Sequence, residues 1–224
     1  MRHLIFIFFL ILLNATQLQS QIPSGYYDNA QGLSGAELRQ TLHDIIDNHS
    51  SQSYSALWTH FQETDRKSNN KVWDMYSDVP GGIPPYEFAF VSDQCGNYQA
   101  EGDCYNREHS WPKSWFNEGY PMYTDLFHVV PSDGYVNGQR GNHPYGETSD
   151  PFWESLNGSK VGTSSFSTMS GTVFEPIDAY KGDFARNYMY MVTRYYNEDG
   201  GWYNNDLVDG ANFTSVGTAL MLKW

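Results

Sequence analysis

A carboxylate directly followed by an imidazole, Glu108-His109, is the first feature of this chain that could do chemistry. The carboxylate can offer a hard oxygen to a metal ion. The imidazole is the side chain whose ordinary pKa best suits a general base near neutral pH. There are seven histidines, and a lone one is more often structural, so company is what raises His109. Asn137 and Arg140 supply some of it: three residues apart, they share a face if their segment is helical. An amide oxygen suits magnesium or calcium, and a guanidinium can clamp a phosphate. Spacing alone favours a polar turn rich in Asn and Gly. With Asn106, Arg107, Asp125, His128 and Asn142, the run from Cys104 to Glu147 is dense in chemically capable groups.

These groups need elements to place them. Ser132, after Pro131, can cap a short helix through Arg140 that carries Asn137, while Pro112 would end an extended segment carrying Glu108-His109. Upstream, Ser34-Gly-Ala-Glu37 has capping-box form, and Leu38, Leu42, Ile45 and Ile46 follow at helical spacing. Tyr54, Leu57, Trp58 and Phe61 repeat that period. Val72 to Tyr76 and Tyr86 to Val91 read as strands on either side of the Pro/Gly turn at 80–85. Residues 155–173, rich in Gly, Ser and Thr, read as a surface loop. Asp183 is the expected N-cap of a helix running to about Tyr195, with Phe184, Tyr188, Met191, Val192 and Tyr195 as its apolar side. Helices mixed with short strands, without repeat or linker, predict one α+β domain.

Met1-Arg2-His3 and the apolar run Leu4 to Leu13 have the form of a secretory leader, too short to span a bilayer as a helix. Cleavage near Ser20 is expected, making residues 1–20 a signal peptide and 21–224 the mature domain. In an exported chain the close pair Cys95 and Cys104 reads as a disulfide more readily than as a zinc site shared with His109. No other membrane-length segment follows, so no membrane contact is expected once the leader leaves. The net charge is −13, and it becomes more negative when Arg2 goes. An acidic chain repels polyphosphate at long range, so any nucleic-acid contact must come from cations that folding gathers locally. The 17% aromatic content can be absorbed by a core and does not by itself indicate stacking on bases.

Tyr105-Asn-Arg-Glu-His-Ser-Trp-Pro-Lys-Ser-Trp115, followed by Thr124-Asp-Leu-Phe-His-Val-Val-Pro-Ser-Asp-Gly-Tyr-Val-Asn-Gly-Gln-Arg140, resembles the bacterial endonuclease I family. Asn142-His-Pro-Tyr-Gly146, Phe174-Glu-Pro176 and Lys181-Gly-Asp-Phe-Ala-Arg186 extend the resemblance over essentially the whole mature chain. It implies a periplasmic or secreted, non-specific nuclease on an α+β fold around a ββα-metal (His-Me finger) core. His109 would be the general base. Glu108 and Asn137 would hold one divalent cation, with magnesium expected and calcium or manganese as alternatives. Arg140 would grip the phosphate, Lys181 and Arg186 would bind substrate, and Asp125 and His128 would orient the site through hydrogen bonds. DNA, and RNA with it, would be cut to leave 5′-phosphate ends by a monomer. Family members continue beyond a stretch resembling Leu220-Met-Leu-Lys-Trp224, so a shortened C-terminus is expected.

Other classes stay open at this point. An exported glycosidase or esterase would show a paired carboxylate motif or a Gly-x-Ser-x-Gly element, and neither stands out. A secreted non-catalytic module whose Asn and Asp loops hold calcium, or an inactive nuclease relative, fits the composition as well.

Overall fold

In a computed structural model, residues 22–166 and 168–224 are described. The expected leader, residues 1–20, lies outside them. Two helices come first, α1 (Gly35–Ile46) and α2 (Leu57–Thr64). An antiparallel pair follows, β1 (Tyr105–His109) with β2 (Val129–Asp133), and α3 (Gly134–Arg140) continues directly from β2. A three-stranded antiparallel sheet comes next, β3 (Asp150–Glu154), β4 (Lys160–Thr163) and β5 (Thr172–Glu175), in that spatial order. The long helix α4 (Asp178–Arg194), a small pair β6 (Val208–Asp209) and β7 (Asn212–Phe213), and α5 (Ser215–Lys223) complete a mixed α+β fold. Among the described residues no helix is long and apolar enough to cross a membrane.

The core accounts for the aromatic content. Trp111, Tyr145, Phe174, Phe184, Tyr188 and Tyr195 are all fully buried in one cluster around α4. The expected apolar side of that helix, including Met191 and Val192, is the side it buries. Its start differs from expectation. The helix begins at Asp178, just after Pro176-Ile177, and Asp183 lies inside it. Proline fixes an extended entry, and Asp178 then puts a negative charge in the first turn, where the helix dipole favours one.

Local polar chemistry overrides three further expectations. Val72 to Tyr76 is no strand: Val72 makes an isolated bridge with Arg66 and donates its N–H to the Phe88 carbonyl, and the chain then turns because Asp74 accepts from the Tyr76 backbone N–H at 2.8 Å. Tyr86 to Val91 likewise carries only a bridge at Ala89, whose N–H is bound by the Asp93 carboxylate. The expected loop over 155–173 holds a strand, β4, and the start of another, β5. A turn with Gly158 at φ +98° joins β3 to β4, and Asn157 Oδ1 accepts from the hydroxyls of Ser155 and Ser159. Gly162 lets β4 lie close, since a Cβ there would meet Thr148 Oγ1 at 2.3 Å. Finally, α3 is capped by Asp133, which accepts from the Val136 N–H at 2.8 Å, rather than by Ser132.

Candidate active site

The β1–β2 ribbon and α3 place the candidate residues. Register sets Glu108 opposite Val130 and His109 opposite Val129 at the end of β1. The α3 helix lies back against β1, so Asn137 donates to Asn106 Oδ1 at 2.7 Å and toward the Arg107 carbonyl at 3.4 Å. One turn on, Arg140 pairs with Glu108 Oε1 at 2.9 Å and donates to the His109 carbonyl at 2.8 Å and to the Ser110 carbonyl. Helix α4 steadies the same corner, where Tyr188 donates to the Ser110 carbonyl at 3.1 Å. Glu108, His109, Asn137 and Arg140 thus border one cleft of about 270 Å³.

The His109 ring has a defined state. It is 4% exposed, and burial, then the neighbouring His128, lowers its pKa to about 3. Burial thus favours the neutral ring, with one N–H. Its Nε2 lies 3.1 Å from the Tyr123 carbonyl, which can only accept, so Nε2 carries the proton. Nδ1 is left as the basic nitrogen. Stacking against Tyr123, at 5.1 Å between centroids and 20° between planes, fixes the plane of the ring.

Glu108 is buried between the Arg140 guanidinium and Tyr76, whose hydroxyl donates to the same Oε1 at 2.9 Å. Burial pushes its carboxyl up, and Arg140 and then Tyr76 pull it back. Burial alone would lower Arg140, but Glu108 beside it outweighs this, so the guanidinium stays a cation. Oε2 has no side-chain hydrogen-bond donor, and Asn137 turns its NH₂ toward β1, leaving Oδ1 without a partner. Two unclaimed hard oxygens at one cleft fit a hard divalent cation that completes its shell with water. A second group, His43, Asp47 and Glu198, brings donor atoms within 4.8 Å of one another. Its carboxylates are already met by the Arg194 guanidinium, at 2.8 Å and 2.9 Å.

The other expected residues stand elsewhere. Asp125 accepts from Tyr190 and Tyr195 at 2.8 Å and 2.6 Å, fastening the β1–β2 connection to α4. His128 bonds the Met122 carbonyl at 2.7 Å and packs 5.7 Å from the His109 ring without bonding it. Lys181 pairs with Glu175 and Asp178, Arg186 pairs with Asp183, and neither borders the cleft. Arg140 is fully buried, with its Nη donors engaged on Glu108 and β1 carbonyls, which suits a strut under the cleft better than an open phosphate grip. Arg107 and Lys113 are the further cations at the rim. Adjacency to Glu108 and to Pro112 was the signal that could have marked them. Cys95 and Cys104 are bonded to each other, so they are not zinc ligands with His109. The bridge ties the edge of the cleft, which Cys95 borders, to the residue before β1.

Known proteins resemble this chain in sequence. The chain is 34% identical over 179 residues to an extracellular ribonuclease of Bacillus subtilis (strain 168), covering 78% of this chain and 55% of that protein. It is 32% identical over 204 residues to an extracellular ribonuclease of Bacillus amyloliquefaciens, covering 89% of this chain and 64% of that one. The match thus spans between about half and two thirds of the length of these relatives. The family model for endonuclease I matches residues 34–224, which include every element that builds the cleft, and the chain belongs to the endonuclease I family.

Proposed function

We propose that this protein is an exported endonuclease that hydrolyses phosphodiester bonds of DNA and RNA, leaving 5′-phosphate ends. The observation that carries the reading is His109, a neutral imidazole whose one proton is committed to the Tyr123 carbonyl, beside the unclaimed oxygens of Glu108 and Asn137. In this reading β1, β2 and α3 are the ββα-metal core. Nδ1 of His109 takes the proton of the attacking water, and the stacked Tyr123 ring keeps that nitrogen aimed. Glu108 and Asn137 hold one divalent cation, magnesium by the hardness of the oxygens, which would stabilise charge at the scissile phosphate and the departing 3′ oxygen. Arg140 and Tyr76 hold the Glu108 carboxylate in place. Arg107 and Lys113 offer positive charge at the rim of an otherwise acidic chain. The names of the two relatives support RNA as a substrate and an extracellular location, in keeping with the expected leader.

The test is the purified mature chain incubated with plasmid DNA and with RNA, with magnesium or with a chelator, beside His109→Ala. The reading expects cleavage only with the metal, and a rate lower by about a hundred- to ten-thousand-fold in the variant. Near-normal nicking by folded His109→Ala sinks the base assignment, and full activity after exhaustive chelation removes the metal.

A further inference from the structure

A second groove opens beside the cleft, and the two share Asn142. Its volume, about 680 Å³, falls in the range of small-ligand sites. Its lining differs in kind from the cleft. Arg107, Lys113 and Arg140 border the cleft, whereas among the described residues no lysine or arginine borders the groove. Burial, with Arg140 adding to it, lowers the pKa of His143, which disfavours positive charge on that imidazole as well. The charged group that does border the groove is a carboxylate, Asp206. A phosphate has no counter-charge there and one charge against it.

What the groove offers is a flat surface and a hydrogen-bonding edge. Tyr203 is 56% exposed and leans on the buried Trp115, 6.0 Å between centroids. Its backbone is held there, since its N–H donates to the Trp115 carbonyl at 2.8 Å. The Asp206 carboxylate is held too: Oδ2 accepts from the Ser170 N–H and hydroxyl, both at 2.7 Å, and Oδ1 is left over. A fixed aromatic face beside a fixed acceptor, with no cation, is the chemistry that receives a nucleobase rather than its phosphate.

We propose that the groove seats one unpaired nucleobase of the strand whose phosphate lies in the cleft, stacked on Tyr203 with an amino edge toward Asp206. This rests on the nuclease reading above and adds a substrate preference to it. A carboxylate only accepts: adenine, cytosine and guanine offer it an exocyclic amino group, whereas the N3–H of thymine and uracil is flanked by two carbonyl oxygens that repel it, so the amino-bearing bases are favoured. A base locked in a duplex cannot reach the groove without leaving its stack, so unpaired strands are cut in preference to duplex.

The experiment uses the mature chain with magnesium on end-labelled single-stranded oligonucleotides, in each of which one nucleotide is replaced by an abasic residue. At one fixed offset from each cut, the abasic residue should slow wild-type cleavage roughly tenfold. Tyr203→Ala should lose that sensitivity and Tyr203→Phe should keep it. Asp206→Asn should lose the preference for amino-bearing bases at the same offset. Wild-type cleavage indifferent to abasic position, or equal sensitivity in Tyr203→Ala, overturns the groove assignment. Plasmid nicked by the wild type in either of those cases leaves the nuclease reading standing, whereas no cleavage of plasmid or oligonucleotide overturns both.

Discussion

Among the described residues, two arginines are buried against carboxylates, and they are buried differently. At the junction of α1 and α4, Arg194 uses its whole fork: Asp47 at 2.8 Å, Glu198 at 2.9 Å and His49 Nδ1 at 3.0 Å. The side chains of both acids there keep contact with solvent, at 25% and 39% exposed. At the cleft, Arg140 meets a single acid, Glu108, whose side chain is 3% exposed, and spends its other bonds on β1 carbonyls. At the junction the Arg194 guanidinium has all three of its nitrogens engaged. The cleft pair leaves a carboxylate oxygen, an amide oxygen and an imidazole nitrogen with unused bonding capacity beside one opening, where a cation or a water can take them up. Unspent valence, rather than the mere presence of charge, separates the candidate site from the structural network.

Removing each arginine tests that contrast, and the larger effect belongs to the cleft. Arg140→Ala strands a buried carboxylate without its cation, and folding stability should fall by about 3–5 kcal/mol in denaturant unfolding. Adding Glu108→Gln to it should restore part of the loss, because the stranded charge is then gone. A single variant as stable as wild type would show that Glu108 does not depend on Arg140. Arg194→Ala should cost less, about 1–3 kcal/mol, since water can take up Asp47 and Glu198 when the guanidinium leaves. Equal losses in the two variants would erase the distinction between the regions.

The same contrast explains what the sequence disclosed. Helices α1 and α2 and the apolar side of α4 were legible because apolar residues there recur at helical spacing. The α+β class followed from them. Strands were less legible, since Val72 to Tyr76 looks like one until Asp74 ties its carboxylate to two backbone N–H groups, Tyr76 and Asp133. That buried aspartate joins the turn carrying Tyr76 to the start of α3, and no local pattern announces a bond between residues 59 positions apart in the chain. Glu108, His109 and Asn137 were legible as a group through an ordered motif, and folding does bring them to one cleft. Lys181 and Arg186 were drawn from the same motif, but their carboxylate partners sit three to six residues away on or beside α4 and hold them there. Tyr123 escaped notice because it contributes a backbone carbonyl and a ring face, neither of which residue type advertises.

The smallest expected effect lies at the rim and concerns exposed cations. Lys113 borders the cleft and pairs with Glu118 at 2.7 Å, both side chains being substantially exposed. Lys223 makes a similar pair with Glu147 at 2.6 Å, away from the cleft. Each pair contributes about 0–1 kcal/mol, so neither Lys113→Ala nor Lys223→Ala should change stability measurably. Function should separate them. A cation that touches the phosphate backbone displaces a condensed counterion, and its loss should reduce the salt slope of binding by about one. Lys113→Ala should therefore weaken binding and cleavage at low salt, by less than tenfold, and converge with wild type as salt rises. Lys223→Ala should track wild type throughout. Titrating both variants against salt with one labelled oligonucleotide measures the difference, and identical slopes would mean that the charge at the cleft does no more for substrate than charge elsewhere on the surface.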